Sequence, residues 1–130
     1  MPIDTIAAWH DLVRRGDAAA LDALLADEVV FHSPVVHKPQ PGKALTQRYL
    51  TAAMQAIRVD SFRYVRQVVG ARDAVLEFIA EIDGVTVNGI DMFHWNDAGL
   101  IDDFKVMVRP IKGIEMVHRK MAETLATMPA

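Results

Sequence analysis

No cysteine occurs among the 130 residues, so disulfides, thiolate nucleophiles and cysteine-held zinc are all excluded. A basic surplus is also missing. Fourteen Lys and Arg stand against 17 Asp and Glu, a formal charge of -3, which leaves nothing to neutralise a phosphate backbone and argues against nucleic acid as a partner. Uninterrupted apolar stretches end after four or five residues, against the roughly 20 that cross a bilayer. Residues 1–15 have neither the basic start nor the apolar run of a signal peptide, so a cytoplasmic protein without membrane contact is expected. The sequence carries no P-loop, GxGxxG, GxSxG or HExxH, so the nucleotide, α/β-hydrolase and zinc-helix readings lack their signatures. Five histidines are present, but none has Asp or Glu partners at ligand spacing, and neither metal nor cofactor is expected. What the chain does have is 52% hydrophobic residues, ample for one packed core at this length. Acid/base chemistry or binding is what remains.

The first half reads as helical. Ile6, Trp9 and Val13 recur at helical spacing before Gly16, which predicts a helix over 4–15 with a left-handed cap. Asp17 can cap a second, short helix bearing Leu21, Leu24 and Leu25 and ending at Asp27-Glu28. A brief strand over 29–32 follows. Pro34, Pro39 and Pro41 make 33–42 an ordered loop, and a third helix runs from beyond Gly42 to about Ile57. From Ser61 the period changes from 3.6 to 2, giving strands over 62–69, 74–82, 85–95 and 100–109. Asp83-Gly84 is a type I′ turn signal. Ile114, Val117, Met121 and Leu125 then share one face of a closing helix over 111–128. Helices flank the strands without alternating with them, so the class is α+β in a single domain, 1–130.

Counting outward from Asp83-Gly84 pairs Ile82 with Val85, Phe78 with Gly89 and Leu76 with Asp91. Treating 96–99 as a four-residue loop pairs Trp95 with Leu100 and Asp91 with Phe104. Both counts agree on one face, holding Leu76, Phe78, Ala80, Ile82, Val85, Val87, Phe93, Trp95, Phe104, Val106 and Val108, with Asp91 near its centre and Asp102 toward the loop. A carboxyl in such a wall loses hydration and holds its proton, which makes it a hydrogen-bond donor and a candidate site. Two other outcomes stay open: Asp91 could merely fasten the sheet, or a bulge could turn it outward. The opposite face mixes Val75, Ile79, Ile90, Met92, Ile101 and Met107 with Glu77, Glu81, His94, Asp103, Lys105 and Arg109. Such a mixture fits a homodimer interface, or a surface covered by the closing helix.

Gly16-Asp17, the run LLADEVV, Ser33-Pro34-Val35, Gly42 and the strand-turn-strand IDMFHWNDAGLIDDFKVMV carry, in order and spacing, a likeness to a known group. Over 6–110 the chain resembles the NTF2-like superfamily, in particular its SnoaL-like and ketosteroid-isomerase-like branch. The resemblance implies a cone-shaped α+β barrel, with three N-terminal helices packed on a curved antiparallel sheet around one apolar cavity, usually in a homodimer, here with a C-terminal helical extension. Asp91 matches the isomerases' protonated oxyanion-hole acid. Their tyrosine donor falls at Trp9 and their general-base aspartate at Ser33. A serine hydroxyl is no base at neutral pH without an activating partner, and an indole N–H is a weak donor, so steroid isomerisation itself is not expected.

His32 adjoins the base position and titrates near neutrality, so it could serve as the base if turned inward; parity with Phe31 and Ser33 points it away. Asp91 and His32 are therefore the catalytic candidates, and Trp9, Ser33, Tyr49, Phe78, Phe93 and Phe104 the ligand-lining candidates. Trp9 and Tyr49 are equally well placed as plain core aromatics. The expected partner is a hydrophobic small molecule bearing a carbonyl, enol or epoxide oxygen. Either an isomerase, cyclase, lyase or epoxide hydrolase acts on it, or the chain is a non-catalytic ligand-binding or dimeric interaction module of the same fold.

Overall fold

The computed structural model describes residues 3–129. Helix α1 (Thr5–Arg15) starts where the Asp4 carboxylate accepts the Ala7 N–H at 3.1 Å and stops at Gly16 in the left-handed conformation; it buries Trp9 and Leu12. Asp17 caps a 3₁₀ turn (Ala18–Ala20) that leads into the single turn α2 (Leu21–Leu24). Leu25 is already extended, so the strand β1 (Leu25–His32) takes the Asp27-Glu28 pair that periodicity assigned to the helix. The reason is packing: Leu25, Ala26 and Val29 are all buried in strand conformation, with the two acids left exposed in an irregular stretch. A two-residue strand β2 (Gln40–Pro41) forms inside the proline loop, at a sheet edge where proline's missing donor is tolerated.

Helix α3 (Lys43–Ile57), the strands β3 (Arg63–Val69), β4 (Asp73–Ile82), β5 (Val85–Trp95) and β6 (Ile101–Arg109), and helix α4 (Ile111–Thr127) complete the chain. The strands form one curved six-stranded sheet in the order β2-β1-β6-β5-β4-β3. The sheet is mixed, because β1 runs parallel to β6 while every other pair is antiparallel. It is also unclosed, with β2 at one edge and β3 at the other. Gly89 in the middle of β5 has no side chain to fend off Phe78, whose ring would lie 2.5 Å from a Cβ there.

The β4–β5 register is the one counted from the turn: Ile82↔Val85, Phe78↔Gly89 and Leu76↔Asp91, with Asp83 and Gly84 at φ 50 and 80. The β5–β6 register is not. Asp91 pairs with Val106, Phe93 with Phe104 and Trp95 with Ile101, around an irregularity next to Trp95. The loop is longer than assumed, since Asn96 accepts the Ala98 and Leu100 N–H groups through its side chain, and a bulge adds one more residue. Beyond the bulge the slip totals two residues, so Phe104, Val106 and Val108 keep the predicted face. At the bulge itself parity fails: Ile101 is fully buried rather than outer, and Asp102 is drawn to His94, 2.6 Å away, on the outer face.

Two apolar clusters fill the concave side. The larger joins α1, α2, α3 and the sheet around Trp9, Phe31, Phe93 and Phe104. The other seats Met116 and Val117 of α4 against Ile57, Phe78, Ile82 and Val87. Helix α4 thus closes one end of the inner face, pinned by Lys120 to Asp83 (2.8 Å) and by Arg48 to the Pro129 carbonyl (2.6 Å). It does not cover the outer face, which settles that alternative.

Candidate functional site

Between α1, α3 and the concave sheet lies a pocket of about 90 Å³, lined chiefly by Trp9, Leu50, Met54, Phe62, Phe78 and Phe104. Its polar groups are few: Asp91 from β5, Tyr64 from β3 and Arg58 from the end of α3. Asp91 is 9% exposed. The Tyr64 hydroxyl donates to Asp91 Oδ2 at 2.5 Å, and the Trp9 indole N–H donates to the Tyr64 oxygen at 3.0 Å. The three side chains form a directed chain ending on the carboxyl, and no arginine or lysine is bonded to it among the described residues.

Burial pushes the Asp91 carboxyl up to about 7, and the Tyr64 hydrogen bond, which favours the ionised form, holds it from rising further. The Tyr64 phenol is pushed well above its usual 10 by burial, and next by the neighbouring Asp91 charge and hydrogen bond. Tyr64 therefore stays protonated, while near neutrality Asp91 is poised between acid and base. Oδ2 is engaged by Tyr64, and Oδ1 has no hydrogen-bond partner among the described residues.

Of the residues singled out from sequence, Asp91, Trp9, Phe78 and Phe104 line the pocket. His32 does not reach it; its Nε2 lies 2.9 Å from Asp103 on the outer side of the sheet, as strand parity with Phe31 requires. Ser33 turns its hydroxyl to the Val35 N–H at 3.2 Å and caps its own loop. Tyr49 stacks on Phe31 with centroids 5.7 Å apart, and Phe93 lies flat against Phe104 at 5.4 Å, one layer behind the pocket wall. Tyr64 was not anticipated. Counting back from the turn at 70–72 pairs Gln67 with Leu76 and would place Val65 inward, but an irregularity between Tyr64 and Arg66 pairs Tyr64 with Phe78 and turns it into the pocket. Val65 is left 43% exposed.

A profile of the SnoaL-like domain matches residues 6–104. The chain belongs to the SnoaL-like domain family. Among solved structures, this SnoaL-like chain is 39% identical to a steroid delta-isomerase from Pseudomonas aeruginosa, with 95% of this chain and 90% of that one covered and a TM-score of 0.89. It is 31% identical to an uncharacterised protein conserved in bacteria, with a cystatin-like fold, from Silicibacter pomeroyi DSS-3 (95% and 86% covered, TM-score 0.86). The epoxide hydrolase/cyclase-like enzyme SalBIII of salinomycin pyran ring formation shares the fold at 19% identity (82% and 88% covered, TM-score 0.66). No curated protein matches the sequence. Within the described residues of this SnoaL-like domain no helix is long and apolar enough to cross a membrane, and no cluster of three metal-ligating side chains occurs.

The Trp9–Tyr64–Asp91 chain makes a testable statement. Tyr64→Phe removes the donor that favours ionised Asp91, so the carboxyl should titrate above 7 in a carbon-13 NMR titration. The stability loss should grow with pH, from about 1 kcal/mol at pH 5 to about 2 kcal/mol at pH 9, because a bond to a charged acceptor is the stronger one. Equal losses at both pH values would mean that the phenol does not act on the Asp91 charge.

Proposed function

We propose that the pocket takes a small hydrophobic molecule through one oxygen atom, a carbonyl, enol or epoxide oxygen, and that Asp91 does acid/base work on it in an isomerase-type reaction. The observation that carries this is a single buried carboxyl on an apolar wall, fixed in orientation by Tyr64 and pushed up by burial to about 7. Ionised Oδ1 takes a proton from the carbon next to the oxygen-bearing carbon, and the carboxyl so protonated donates a hydrogen bond to the enolate oxygen that forms before it returns the proton to another carbon. Ser33 and His32 stand away from the pocket, so one carboxyl serves in both directions. The 39% identity to a steroid delta-isomerase supports the isomerase class. Incubating the protein with a mixture of hydrophobic ketones, enones and epoxides and reading products by mass spectrometry tests the reading. Product formation that Asp91→Asn removes is the expected result, and binding without any product favours the second reading.

That second reading is a non-catalytic ligand module, and one observation favours it: the position matching the isomerases' base is a serine bonded to its own loop.

We also propose that the chain forms a homodimer through the outer sheet face. Val68 (64% exposed) and Met107 (48% exposed) stand there beside Val75 and Ile90, around a groove of about 310 Å³ rimmed by Arg66, Arg109 and Glu77. Apolar centre and mixed-charge rim are what a self-complementary interface uses. Met107→Glu should yield monomers in sedimentation experiments where the parent chain is dimeric. A monomeric parent chain at tens of micromolar would refute the assignment.

A further inference from the structure

Among the described residues, one cationic side chain lines the pocket. Arg58, where α3 ends, is exposed, lines the pocket, and has neither an ion pair nor a hydrogen bond among the described residues. The acids at the end of α1 are committed elsewhere: Asp11 to Arg14 at 2.6 Å and Arg15 at 2.7 Å, and Asp17 to Arg15 at 2.9 Å. The guanidinium nevertheless has a built seat. It lies over Gly16, where a Cβ would come within 2.4 Å of its central carbon, so the residue that ends α1 also leaves the space that the arginine fills. Asp91 lies on the buried floor and Arg58 at the exposed rim, with Val13, Ala53, Met54, Ile57 and Phe62 among the apolar residues lining the space they share.

We propose that Arg58 is a specificity-determining residue that selects ligands with a carboxylate at the end remote from the oxygen held by Asp91, so that the substrate class is a hydrophobic oxo or hydroxy carboxylic acid. A guanidinium without an internal partner presents a planar fork of N–H donors matched to a carboxylate, and close to an apolar wall that pairing is less screened than in open water. This inference rests on the pocket being the ligand site.

The test uses 4-oxo-4-phenylbutanoate and its methyl ester as probes, titrated calorimetrically into the full chain. The parent protein should bind the acid at least about tenfold more tightly than the ester, with a preference that shrinks as salt rises. Arg58→Gln should abolish that preference by weakening the acid far more than the ester. Gly16→Ala, which blocks the seat, should reduce it. Asp91→Asn should weaken both probes alike. Equal binding of acid and ester by the parent protein, or equal weakening of both by Arg58→Gln, overturns the role of Arg58 while leaving the pocket intact as a site. If neither probe binds, the pocket reading fails and this inference falls with it.

Discussion

Replacing Asp91 by Asn should cut turnover of any substrate by about 10²–10⁴-fold, the usual contribution of one positioned acid/base group, while leaving the fold in place. The amide has the shape of the acid and still offers an oxygen to the Tyr64 hydroxyl. The same variant should change how stability depends on pH. In the unfolded chain the carboxyl ionises near 3.8, and in the folded chain it holds its proton up to about 7. Its contribution is thus fully present below about pH 4 and is lost as pH rises through 7, by a total on the order of 4 kcal/mol. Asp91→Asn lacks that slope, so relative to the parent chain it should gain stability between pH 5 and pH 8. Urea unfolding midpoints at the two pH values measure the difference directly, since all other groups cancel. Parallel curves would mean that the carboxyl is hydrated, and with that the acid/base assignment would be lost.

The second large effect falls on Phe104. Its ring is fully buried, lies 6° from parallel to Phe93 at 5.4 Å, and meets Trp9 at 4.9 Å and Phe31 at 6.3 Å. It therefore joins α1, β1, β5 and β6 at one point while forming part of the pocket wall. Phe104→Ala should cost about 3–5 kcal/mol, from lost transfer energy and the cavity left behind, seen as a Tm lowered by more than about 10 °C. The enlarged space adjoins an apolar pocket, so added indole or benzene should restore part of the loss by filling it. A drop below about 1 kcal/mol would show that neighbouring rings collapse into the gap.

Where local rules determine a feature, the sequence was enough. Asp83-Gly84 has one favoured turn geometry, and that turn alone put Leu76 opposite Asp91 and set the acid among apolar neighbours. The likeness to SnoaL-like and ketosteroid-isomerase-like chains was equally readable, and the fold agrees with it. Alternation failed wherever a strand carried an extra residue. The bulge beside Trp95 sent Ile101 inward and Asp102 outward, and the irregularity after Tyr64 brought in a phenol that simple counting places outside. Bulges have weak sequence signatures because the surrounding packing selects them. For the same reason Trp9 could be identified as an aromatic facing the core but not as the donor to a tyrosine 55 positions away.

Tyr64 belongs to the last strand in the sheet, whose ladder is shared with a single neighbour. Such terminal ladders open at lower cost than enclosed ones. Were β3 to peel from β4, the phenol would leave with it and water would reach Asp91, whose proton is held chiefly by burial, so the carboxyl would ionise more readily. Proton affinity at the centre of the molecule is thus tied to the closure of its rim.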